Sequence, residues 1–318
     1  LILVIILVII LVIILVIIPV IILVFILVFI LVIILVFILV IILVIIPVII
    51  LVIILVIIPV FIPVFIPVFI RIICVEWTAG GGGEGATARE VLRHVSVTEC
   101  IMADIDPVVC QAAKDHLQEW HQGAFEDSRF TLIIDDAKKI LESYPDNYFD
   151  AIILDLSDPL DYGPCYTLYS TEFYTLCVRK LATNGVFVTQ AGPASVHACT
   201  DCFTAIHTTL KEVFPYVAAY ATHIPSFTNL WGFHLALKSA EGFDFMEKSN
   251  TDALLTERLK DVSLLRHYDG ETRQSMFHLP KYIRTHLAAE KRVICEDTPI
   301  YVSHVKCDIV QPTSETSS

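Results

Sequence analysis

Residues 3 to 70 repeat one four-residue unit, Leu/Pro-Val-Ile/Phe-Ile, seventeen times without interruption, and no charged or polar side chain precedes Arg71. Close packing needs side chains of varied shape at facing positions, so a folded core has no reason to keep such identity. Each swap within the unit can arise from a single base change. The stretch therefore reads as a translated twelve-nucleotide tandem repeat, and as an artefact rather than a domain. Seventy apolar residues exceed the ~20 that cross a bilayer. Yet the repeat has no loops or flanking charges that would divide it into spans, and Pro interrupts it at 19, 47, 59, 63 and 67. It also has neither the basic start nor the small-residue cleavage site of a signal peptide. A membrane is an expected partner only if residues 1–70 are real, and unbroken β-branched runs are otherwise an aggregation hazard. Function is to be sought after residue 70.

The 248 residues from Arg71 onward hold all 21 Lys and Arg and all 34 Asp and Glu. Their charged fraction, about 22%, is that of an ordinary soluble domain. This length suits one α/β domain with a large core, here 71–305, followed by a polar tail at 306–318. The net charge of −13 lies wholly in this part. It argues against nucleic acid, whose binders need a basic face, and suits small cations as partners. Nine cysteines at irregular spacing read as reduced thiols in a cytoplasmic protein. His197-x-Cys199-x-x-Cys202 has metal-like spacing, but no second pair completes a four-ligand site. It reads as packed thiols, with no metal expected.

Short apolar runs alternate with segments of helical period after Arg71. The pattern predicts strands at Ile72–Glu76, Val97–Asp104, Phe130–Ile134, Phe149–Asp155, Gly185–Gln190, Tyr216–Thr222 and Gly232–Leu237. Helices are predicted at Ala86–His94, Pro107–Gln122, Ala137–Ser143, Thr171–Leu181, Val196–Val213 and Thr251–Lys260, with an irregular C-terminal portion beyond. This alternation implies a doubly wound, mainly parallel sheet with an antiparallel edge. In such sheets a ligand binds beyond the carboxyl ends of the strands. Glu84, Asp104, Asp136, Asp155 and Gln190 each lie at or just after a strand end, so the topology predicts that they converge on one crevice.

Gly80-Gly81-Gly82-Gly83-Glu84-Gly85 falls between a strand and a helix, where glycines let backbone approach a ligand closely. Glu84 would repel a phosphate or carboxylate there, so the loop should face something neutral or cationic. Asp104, about twenty residues on at the end of the next strand, suits ribose hydroxyls. Together they favour an adenosyl ligand without phosphates. Asp155-Leu156-Ser157-Asp158-Pro159 puts two carboxylates in one loop. An Asx-turn before Pro is the plain explanation. The functional one is a pocket for an amine, in which a carboxylate removes a proton so that nitrogen can attack.

At these residues the sequence resembles the aminopropyltransferases, the spermidine and spermine synthases. The resemblance runs through Gly81 to Glu90, Asp104-Ile105-Asp106, Asp155-x-x-Asp158-Pro159, Gly163-Pro164-Cys165-Tyr166 and Val188 to Pro193. It continues in Tyr268-Asp269-Gly270-Glu271-Thr272 and Leu279-Pro280. Glu84, Gly163-Pro164-Cys165-Tyr166, Gln190-Ala191-Gly192-Pro193 and Ile224-Pro225-Ser226-Phe227 are most similar to the thermospermine synthases of plants and algae. The resemblance implies a methyltransferase-like Rossmann fold and a chain that moves an aminopropyl group from decarboxylated S-adenosylmethionine to spermidine, releasing methylthioadenosine. It implies that Gly81, Gly82 and Gly83 approach this co-substrate, that Glu84 holds its amine, Asp104 its ribose and Asp136 its adenine. Asp155 would be the base, with Asp158, Gln190, Phe227 and Trp231 toward the polyamine. It implies no cofactor and no metal, and raises a homo-oligomer as a further partner. The apolar repeat stands where the family has a small β-rich domain, with the break expected near residue 78. Putrescine as acceptor, a small-molecule methyltransferase and an inactive truncated homologue are the alternatives.

Overall fold

The computed structural model describes residues 70–77, 83–159, 164–239 and 251–302. The repeat up to residue 69, Gly81, Gly82, Gly163 and the polar tail lie outside the described residues.

Seven strands form one sheet in the order β3-β2-β1-β4-β5-β7-β6. They are β1 (Ile70–Trp77), β2 (Val97–Asp104), β3 (Phe130–Ile134), β4 (Phe149–Leu156), β5 (Leu181–Pro193), β6 (Tyr216–Ile224) and β7 (Asn229–Leu237). The first five are parallel, while β7 runs antiparallel between β5 and β6. The chain first builds outward from β1 through β2 to β3, then returns to lay β4 on the other side of β1. The strand order thus reverses between the neighbouring strands β1 and β4, the kind of switch point beyond whose carboxyl ends ligands bind in open α/β sheets. The predicted fold class, antiparallel edge included, is the observed one.

Strand alternation assigns each face. Ile152, Leu154 and Leu156 of β4 pack with Phe187 and the helices α4 (Ala137–Ser143), α5 (Thr171–Lys180), α6 (Phe203–Val213) and α9 (Lys281–Ala289). Ile153 points the other way, with Val188, Tyr220 and Phe233, toward α1 (Ala86–Leu92), α7 (Thr251–Arg258) and α8 (Gly270–Phe277). Asp155 is two residues beyond Ile153, so the period of two directs it to the α1 face.

Several predicted elements need correction. The helix expected at Pro107–Gln122 breaks at Leu117, whose φ −120 and ψ 42 separate α2 (Pro107–His116) from α3 (Gln118–His121). The helix expected from Val196 begins at Phe203. Residues 196–202 instead form turns, held where the Cys202 thiol donates to the Ala191 carbonyl at 3.4 Å. The C-terminal portion expected to be irregular contains α8 and α9. Asp269 starts α8 by accepting the Thr272 N–H at 2.7 Å, and Pro280 precedes α9. No described helix is long and apolar enough to cross a membrane.

Candidate active site

The crevice begins where β1 turns into α1. Gly85 caps α1 with φ +74, a left-handed conformation that favours glycine, and a Cβ there would meet the Phe125 ring at 2.9 Å. Gly83 has no room for a side chain either. A Cβ would lie 2.9 Å from Asp104 Oδ2 and 3.1 Å from Cys110 Sγ, so the loop presses directly on the end of β2.

Asp104 is almost fully buried, and its Oδ1 accepts the Asp106 N–H at 2.7 Å. Asp106 in turn caps α2 by accepting from Val108 and Val109. At the end of the next strand, the Asp135 N–H donates to the Asp104 carbonyl at 3.1 Å. Asp136 follows and caps α4, its Oδ1 taking the Lys138 and Lys139 N–H groups at 2.8 and 3.2 Å. Gly83, Asp104 and Asp136 therefore line adjacent strand ends, as the topology predicts.

On the other side of β1, Asp155 ends β4 half-buried behind α1. Thr87, in the first turn of α1, donates from Oγ1 to Asp155 Oδ2 at 3.5 Å. Burial, followed by the negative charge of Glu84, pushes the Asp155 carboxyl up to about 7, and the Thr87 hydroxyl only partly offsets them. Glu84 lies just before α1 and Asp155 in β4, and the sheet brings them within electrostatic reach. A carboxylate tuned to neutral pH is well placed to take and release protons.

Asp158 lies three residues further along the same loop and belongs to a network centred on Gln190. The Gln190 amide donates to the Leu156 carbonyl at 2.8 Å and to the Tyr169 hydroxyl at 2.7 Å, with Asp158 Oδ1 at 3.2 Å. Its Oε1 accepts from the Gly192 N–H at 2.8 Å and the Trp231 indole at 3.1 Å. Two donors on one side and a carbonyl on the other leave one orientation for this amide. Gln190 is buried, so its neighbours in the protein occupy both ends of its side chain. Trp231 continues into the Phe227 ring, 4.2 Å between centroids and tilted by 35°, which makes an aromatic wall beside the acids.

Sequence reasoning missed Thr87, Tyr169 and Tyr220. Thr87 could have been found from its place in the first turn after the glycine loop. Tyr169 donates to the Ser157 carbonyl at 3.0 Å and supports the acid loop, but no local pattern marks it. Tyr220 looks like core in an apolar strand. Its hydroxyl is buried without a hydrogen-bond partner among the described residues, and the Asp155 charge is among the causes that raise its pKa. Cys199 and Cys202 are buried, and burial raises both thiols. Among the described residues, no group of three or more His, Cys, Asp or Glu side chains is arranged to hold a metal ion.

By its sheet order, the chain has a doubly wound α/β fold with a crevice at the strand ends. A model of the spermine/spermidine synthase domain matches residues 80–247. The polyamine aminopropyltransferase of Sulfolobus acidocaldarius is 44% identical over 220 residues, 69% of this chain and 71% of that one. That of Aeropyrum pernix is 39% identical over 222 residues, 70% of each chain. The crystal structure of spermidine synthase from Thermotoga maritima superposes with a TM-score of 0.56 at 25% identity, covering 70% of this chain and 69% of that one. A spermidine synthase in complex with the transition-state analogue AdoDATO shares the fold, with a TM-score of 0.59 at 24% identity over 76% and 75% of the chains. The chain belongs to the spermine/spermidine synthase family. The two sequence relatives are archaeal and bear the general name, so the similarity extends to aminopropyltransferases at large and not to the plant and algal thermospermine synthases in particular.

Proposed function

We propose that the chain transfers the aminopropyl group of decarboxylated S-adenosylmethionine to spermidine, giving thermospermine and methylthioadenosine. The observation that carries this reading is the pairing of Glu84 with Asp155, whose carboxyl is held at about 7 in the switch-point crevice. Asp104 and Asp136 suit the ribose and the adenine, and Gly83, with no room for a side chain, lets the backbone approach. Glu84 suits the ammonium that decarboxylation leaves as the only charge at the end of the donor's side chain.

The acceptor arrives as an ammonium with a pKa near 10 and must lose a proton before it can attack. Asp155 takes that proton. The freed nitrogen lone pair forms a bond to the propyl carbon next to sulfur. The carbon–sulfur bond breaks, and its electron pair stays on sulfur as the neutral thioether. The donor's positive charge thus makes its own leaving group, and the reading calls for no metal or further cofactor. Asp158 holds a second ammonium of the acceptor, and Gln190 holds Asp158. Phe227 and Trp231 offer the methylene chain an apolar wall, which suits a longer polyamine.

Offering spermidine and putrescine together with the donor tests the acceptor. Chromatography that separates thermospermine from its isomer spermine is expected to find thermospermine as the main product. Conversion of putrescine alone would make the chain a spermidine synthase.

A further inference from the structure

The chain beyond α9 does not wander. Residues 290–302 cross the face of the sheet covered by α4, α5, α6 and α9 and are fastened at several points. Thr204 of α6 donates to Glu290 at 2.7 Å. Ile294 is buried, and its N–H donates to Thr209 Oγ1 at 2.9 Å while its carbonyl accepts the Thr171 N–H at 2.9 Å. Lys138 of α4 bridges to Glu296 at 2.7 Å. The segment thus ties three helices together before it reaches the crevice.

Its last two described residues end on the acid loop. The Val302 N–H donates to the Pro159 carbonyl at 2.9 Å, next to Asp158. The Tyr301 ring packs edge-on against Tyr166, with centroids 5.7 Å apart. The strap therefore meets Pro159 at the end of the acid loop and Tyr166 in the 3-10 turn Pro164–Tyr169. The grip has a physical use, because Glu84, Asp155 and Asp158 bring like charges to one crevice, and their repulsion favours opening it. Gln190 holds Asp158 from the inside, and the strap holds the following residue from the outside.

We infer that residues 290–302 are a strap that fixes the acid loop for the acceptor, making Tyr301 and Val302 positioning residues for polyamine affinity. This inference rests on the functional reading above. Neither residue need touch a ligand. They act through Pro159 and Tyr166, so their effect belongs to the acceptor and not to the adenosyl side, which β1, β2 and β3 build.

The test uses the full chain and two variants, Val302→Pro, which deletes the donor, and Tyr301→Ala, which deletes the ring. Methylthioadenosine is titrated alone, and spermidine is then titrated in its presence. In both variants spermidine affinity should fall about tenfold, the scale of one net hydrogen bond for Val302→Pro and of one aromatic pair for Tyr301→Ala. Methylthioadenosine affinity should stay unchanged, and Tyr301→Phe should restore spermidine binding. Unchanged spermidine affinity in both variants overturns the inference. So does an equal loss of both ligands, which would make the strap general support for the fold. A wild-type chain that binds neither spermidine nor putrescine removes the functional reading itself, and the strap's role with it.

Discussion

Replacing Asp155 by Asn is expected to lower turnover by about 10²–10⁴-fold, the usual contribution of a positioned general base. Asn keeps the shape and can still accept from Thr87, so the variant isolates the loss of proton acceptance. The same residue sets the pH dependence. Its carboxyl is raised to about 7, so it is protonated below that pH and cannot serve as a base. In the wild type, kcat/KM should therefore fall about tenfold per pH unit on the acid side of this value. Asp155→Asn should lose that limb and keep its affinity for methylthioadenosine. Initial rates between about pH 5 and pH 9 check both expectations together. A variant within a few-fold of wild-type turnover would remove Asp155 from the role of base.

Gln190→Leu should be the most damaging change that leaves every carboxylate in place. Leu fills a similar volume but offers nothing to the Leu156 carbonyl, the Gly192 N–H or the Trp231 indole. Leaving buried groups unpaired costs about 1–3 kcal/mol each, and partial relaxation puts the expected loss of folding stability at about 2–4 kcal/mol. Asp158 would lose its inner tether and Trp231 its anchor, so the acceptor KM should rise while donor affinity changes little. Urea denaturation with steady-state kinetics reads both effects. A Leu variant of wild-type stability and acceptor KM would show that the network holds nothing in place.

The sequence revealed the parts of this protein that rest on local periodicity. Strand β4 was expected at Phe149–Asp155 and is observed one residue longer, because its apolar run is bounded by polar residues at both ends. The rule that ligands sit beyond strand ends predicts that Glu84, Asp104, Asp136, Asp155 and Gln190 share one crevice. What stayed hidden depends on partners distant in sequence. The turn before Phe203 is held by a thiol reaching back to Ala191, and nothing within residues 196–202 records that. Helix α8, Gly-Glu-Thr-Arg-Gln-Ser-Met-Phe, has no apolar stripe at helical spacing, so its Asp269 cap was the only available signal. Gln190 was legible as a polar residue at a strand end, but four of its five neighbours, Leu156, Asp158, Tyr169 and Trp231, lie outside its own strand. The raised pKa of Asp155 has the same character, since it needs burial by the fold and a charge from another loop.

The central claim is that the crevice takes an aminopropyl donor, and the charge of Glu84 makes it testable in a single experiment. A carboxylate beside Glu84 would face like charge, whereas an ammonium alone would be attracted. Calorimetric titration of the full chain with decarboxylated S-adenosylmethionine and with S-adenosylmethionine measures this directly. The account predicts that the decarboxylated donor binds more tightly, by at least about tenfold, which is 1.4 kcal/mol. Equal affinity for the two, or a preference for S-adenosylmethionine, would contradict it and point to methyl transfer instead.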